Sequence, residues 1–90
     1  MNDSPVVGVV GPDADTAVAA VESAGGRAVP GAASRVVDES DAVVAVGESA
    51  LLAVARTGTD APILPVAAGR GVRSVPRTDL ATAVADFVAG

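Results

Sequence analysis

Cysteine, histidine, lysine, tryptophan and tyrosine are all absent from this 90-residue sequence, and Phe87 is its one aromatic residue. Without cysteine there is no disulfide and no thiolate nucleophile. Without histidine as well, the usual Zn²⁺ ligand sets are unavailable, and so is a Ser-His-Asp triad. Without lysine, every cation is an arginine: Arg27, Arg35, Arg56, Arg70, Arg73 and Arg77, of which only the last three lie close together. The formal net charge is −5. No basic stripe exists to neutralise phosphates, so nucleic acid is not an expected partner. No apolar run reaches the roughly 18 residues of a membrane span, and no segment has the basic start and apolar run of a signal peptide. The expectation is a cytoplasmic protein with no membrane partner.

Half of the residues are apolar, enough to bury a core. Ala and Val dominate that half. Small side chains each remove little apolar area, at roughly 25 cal/mol per Å² buried, and a short chain is marginal by surface-to-volume scaling. The length suits a single domain over residues 1–90, and the thin core leads us to expect a homodimer that covers further apolar surface. The lysine-free, Ala/Val/Asp-rich composition is haloarchaeal-like, resembling proteins of salt-loving organisms. That bears on solubility and habitat rather than on fold.

Pro5-Val6-Val7-Gly8-Val9-Val10 reads as a buried strand that stops at Gly11-Pro12. Pro12 suits the first position of a helix, Asp13 and Asp15 place negative charge in its first turn, and Ala14, Ala17, Val18, Val21 and Ala24 follow helical spacing up to Gly25-Gly26. Arg27–Pro30 predicts a short second strand, at a sheet edge if Pro30 belongs to it. Residues 31–41 are polar and poorly periodic and read as a connection that includes one helical turn. Asp41–Gly47 is the second strong strand and runs into a helix over Glu48–Arg56, closed by Thr57-Gly58.

Pro62–Ala67 predicts a third central strand, in which Pro65 is out of place. Ala68-Gly69-Arg70-Gly71 is a glycine loop, Val72–Val75 a last short strand, and Leu80, Val84, Phe87 and Val88 mark one face of a closing helix that starts near Arg77-Thr78. Strands that are apolar throughout and alternate with helices indicate a parallel sheet covered on both sides. The expected fold is a three-layer α/β/α Rossmann-like sandwich with a mainly parallel sheet of four or five strands, the first and third adjacent.

In such sheets ligands bind outside the carboxyl ends of the strands, where strand order reverses. Three loops lie there: Gly11-Pro12-Asp13-Ala14-Asp15, Gly47-Glu48-Ser49-Ala50 and Ala68-Gly69-Arg70-Gly71. Backbone N–H groups near Glu48 could hold a phosphate, Gly69 and Gly71 would allow close approach, and Arg70 could pair with an anion. Each signal also has a plainer reading. Glycine is the default turn residue, Asp13 and Asp15 are good helix-start residues rather than a metal pair, and Glu48 is a favourable first-turn acid. No Walker A sequence and no G-x-G-x-x-G is present. No metal site is expected.

The segment Asp41-Ala-Val-Val-Ala-Val-Gly47-Glu48-Ser49-Ala50-Leu51-Leu52-Ala-Val-Ala-Arg56 resembles the signature of the NAD kinase family. In that family a strand runs into G-G-D-G-T and then a Leu-rich helix. A strand of the form P-V-L-G-I-N follows, and here Pro62–Ala67 falls at about that distance. The resemblance covers roughly residues 41–75, and its motif is degenerate. Val46 replaces the first Gly, Gly47 keeps the second, Glu48 stands for the catalytic Asp, Ser49 for the third Gly, Ala50 for the Thr and Ala67 for the Asn. The family's all-β second domain has no counterpart within these residues.

The resemblance implies ATP or NAD(P) as ligand and Glu48 as the remnant of the catalytic position. Together with the three loops it marks Gly11, Asp13, Gly47, Glu48, Ser49, Gly69, Arg70 and Gly71 as ligand-binding positions. Glu48 is one methylene longer than Asp, and misplacement near 1 Å can cost about a hundredfold in rate. Three readings stay open. The chain is a degenerate nucleotide-binding domain without full kinase activity, a non-catalytic interaction protein that forms homodimers or pairs with a full-length kinase, or an enzyme completed by another chain.

Overall fold

The computed structural model describes residues 5–12, 14–67 and 79–89, and the predicted strand over 72–75 lies outside them. The chain runs β1 (Val6–Val10), α1 (Ala14–Ser23), β2 (Arg27–Pro30), α2 (Ala33–Glu39), β3 (Ala42–Val46), α3 (Glu48–Arg56), β4 (Ile63–Val66) and α4 (Leu80–Ala89). The four strands form one parallel sheet in the order β2-β1-β3-β4. The protein is an α/β domain with a Rossmann-like three-layer arrangement.

Val-rich strands follow directly from burial on two sides. Successive residues of a strand point to opposite faces. Val7, Val9, Val44 and Val46 pack with Ala17 and Val21 of α1 and with Leu80 and Val84 of α4. Val10, Val43 and Ala45 pack with Ala33 and Val36 of α2 and with Ala50 and Val54 of α3. A strand buried this way cannot show a polar/apolar alternation, which is why the sequence reads as unbroken apolar runs.

The order of connections fixes where strand order reverses. From β1 the chain moves to one side, to β2, and then crosses back over β1 to β3 and on to β4. The helices sit on opposite faces for the two directions of travel, so every crossover has the same hand. Strand order reverses between β1 and β3. At the other end of these two strands Asp41 ties them together. Its backbone N–H donates to the Val6 carbonyl at 2.7 Å, and its carboxylate accepts the Val6 N–H at 3.0 Å.

Residues 31–41 hold more helix than the sequence pattern predicts. Seven residues of α2 are ordered by Ala33 and Val36, both buried against the sheet, rather than by a long apolar stripe. Pro65 also finds its explanation, because β4 is an edge strand among the described residues and not a central one. Val43 N–H donates to the Pro62 carbonyl at 2.9 Å and Gly47 N–H to the Val66 carbonyl at 2.7 Å, so even-numbered positions of β4 bond to β3. Pro65 is turned the other way, and its missing N–H faces outward.

The opposite edge repeats the device. Arg27 N–H donates to Pro5 and Gly31 N–H to Val9, so odd-numbered positions of β2 bond to β1 and Pro30 faces outward. Among the described residues both edge strands thus carry a proline at a position that cannot donate to an added strand.

Candidate functional site

The switch point is built from two very short connections. β1 ends at Val10, and Gly11-Pro12 turns the chain toward α1. β3 ends at Val46, and Gly47 alone separates it from α3. The two turns touch. A Cβ on Gly11 would run into the Val46 carbonyl oxygen and come within 3.0 Å of the Ala50 Cβ. A Cβ on Gly47 would stand 3.8 Å from Cδ of Pro12. Gly11 and Gly47 have φ of +116° and +92°, conformations that L side chains rarely adopt. Turn geometry therefore accounts for both glycines before any ligand is considered.

Gly47 is the N-cap of α3. Its own N–H is spent on Val66, and its carbonyl accepts the Leu51 N–H at 3.1 Å. Gly47 supplies no side-chain cap, so the first N–H groups of α3 lack an intrahelical acceptor at the switch point. Such a terminus attracts negative charge through those groups and the helix dipole. Glu48 and Ser49 stand exposed on the same first turn. The Glu48 carboxylate favours the helix and at the same time opposes a second anion there.

Of the residues marked in the sequence, Gly11, Gly47, Glu48 and Ser49 come together at this end of the sheet. Asp13, Gly69, Arg70 and Gly71 lie outside the described residues. Asp15 is exposed in the first turn of α1. Among the described residues no group of three or more His, Cys, Asp or Glu side chains is placed to hold a metal ion. No helix among them is long and apolar enough to cross a membrane.

Two features escaped the sequence reading. Ala67, directly after β4, has a φ of +50°, the left-handed region that Asn enters more readily than Ala. A groove of about 440 Å³ lies between α2 and α3, lined by Ala32, Ala33, Ser34, Ala53, Arg56 and Thr57. Nothing in the sequence announced the groove, since one of its walls is the helix the periodicity left out.

The fold defines a doubly wound α/β domain in which the N-terminus of α3 lies at the point of strand reversal. No protein-family model, curated protein or solved structure matches the chain.

Proposed function

We propose that this protein is a degenerate NAD kinase-like domain that binds a nucleotide or another phosphorylated ligand at the carboxyl ends of β1 and β3, without full kinase activity. The observation that carries the reading is the N-terminus of α3, without a side-chain cap at the switch point, with Gly11 against Val46 and Ala50 and Pro12 beside Gly47. Two further features support it. Gly47-Glu48-Ser49 occupies the strand-to-helix turn at which the family it resembles carries its glycine-rich motif. The position that answers to the family's Asn takes the left-handed conformation at Ala67. ATP, ADP, NAD and NADP are the ligands to try. The negative charge of Glu48 at the binding groups makes a divalent cation with the phosphate the favoured form.

A thermal-shift screen of these nucleotides and polyphosphate, with and without Mg²⁺, tests the reading. A ligand at a hundred times its Kd adds about 2.7 kcal/mol, or a rise in Tm of roughly 10–20 °C for a chain of this length. Ser49→Glu keeps a residue favourable to a helix first turn yet adds a second negative charge beside Glu48, and it should abolish the shift. No shift with any of these ligands overturns the proposal. The reading as an interaction protein would then lead, supported by the exposed Leu52 on α3.

A further inference from the structure

Leu52 is the one large hydrophobic residue exposed among the described residues, at 50%. It sits midway along α3, whose buried side is formed by Ala50 and Val54. The exposed positions of that helix are Glu48, Ser49, Leu52, Ala55 and Arg56, a single stripe at helical spacing. The stripe reads the same way from either end except for the sign of its charges. Four residues before Leu52 stands Glu48, and four after stands Arg56. Three before stands Ser49, and three after stands Ala55.

We propose that two copies of this chain pair through α3, antiparallel about a two-fold axis at Leu52. An isologous contact brings residue i of one copy against residue j of the other and j against i. Antiparallel pairing about Leu52 sets Glu48 of each copy against Arg56 of the other, and Ser49 against Ala55. Opposite charges then meet at both ends, and small side chains meet beside the centre. Because Glu48 and Ser49 also form the proposed ligand turn, pairing and ligand binding there compete. Helix axes pack at about 8–10 Å, and the small residues suit the near end of that range. On one helix Glu48 and Arg56 are about 12 Å apart along the axis, too far to pair with each other, so the complementarity is available to a second copy.

The outward Pro30 and Pro65 disfavour the competing route, addition of a strand at a sheet edge. A helix of nine residues covers less than the roughly 800 Å² per partner of a standard interface, so pairing is weak.

Sedimentation velocity from low micromolar to millimolar protein tests this at the level of mass, independently of any ligand. Wild type should pass from monomer to dimer across that range. Arg56→Glu makes both end contacts repulsive and should weaken pairing by at least about tenfold. Arg27→Glu makes the same charge change at the far edge of the sheet and should leave pairing unaltered. The double exchange Glu48→Arg with Arg56→Glu should restore it. A second readout uses the lack of cysteine in the chain. Leu52→Cys should oxidise to a covalent dimer far faster than Cys placed at the exposed Ala19 of α1. A wild-type monomer at every concentration overturns the proposal, and so does a dimer indifferent to Arg56→Glu or slow to cross-link at position 52.

Discussion

The Val36 side chain occupies the space that a Cβ on Gly8 would fill. Gly8 is a buried residue in the middle of β1, and Ser40 Oγ would stand 2.6 Å from the same Cβ. That hydroxyl is itself fixed, donating to the Val36 carbonyl at 2.7 Å. The close seating of α2 on β1 therefore depends on the missing side chain.

Gly8→Ala should destabilise the fold by about 1–3 kcal/mol, the usual range for overpacking a filled core, although Ala is otherwise the better strand residue. Chemical denaturation checks this as a lower midpoint with an unchanged slope. Adding Val36→Ala should recover part of the loss only, because Ser40 still crowds the site. A neutral Gly8→Ala would mean that α2 is free to move off the sheet.

Much of this architecture is legible in the sequence because it follows from burial. Val6–Val10 and Ala42–Val46 are apolar at every position, and only a strand covered on both faces calls for that. The adjacency of β1 and β3 follows from the doubly wound pattern. α2 was hidden for a physical reason: its stripe is no more than Ala33, Val36 and Val37, and it is held by contact with Gly8 rather than by its own periodicity. The candidate site is legible only in part. Gly11 and Gly47 stand where a glycine-rich phosphate loop would want them, but backbone geometry and the contact with Val46 demand glycine there in any case. A glycine in a sequence does not say which of the two needs it serves.

The edge prolines give a prediction about assembly. Pro30→Val restores an N–H to the outer side of β2 and adds a residue of high strand propensity. The variant should remain folded by circular dichroism and become more prone to form large assemblies, seen as faster loss from the supernatant on incubation. Solubility equal to wild type would show that the proline does not guard that edge.

Salt should stabilise the protein. Eleven acidic residues face six arginines, and no charged side chain is buried among the described residues. The excess negative charge repels itself, and that repulsion is screened over about 10 Å at 0.1 M salt and about 3 Å at 1 M. Tm should therefore rise as KCl is raised, with the steepest gain at low salt where screening changes most. A Tm that is flat or falls with KCl would show that the repulsion contributes little.

Glu48 separates the two halves of the functional proposal, because its charge acts in opposite directions on the helix and on a ligand. At the first turn of α3 a carboxylate favours the helix by about 0.3–1 kcal/mol, so Glu48→Gln should lower Tm slightly. The same carboxylate opposes a phosphate at the neighbouring N–H groups, so Glu48→Gln should bind polyphosphate or ADP more tightly than wild type when Mg²⁺ is absent. With Mg²⁺ present the order should narrow or reverse, since the cation loses a carboxylate that would help to hold it. Isothermal titration of both proteins with and without Mg²⁺ reads all four affinities. Equal affinities for the two proteins in both conditions would place the bound anion away from α3, and would remove Glu48 from the site even if a nucleotide binds.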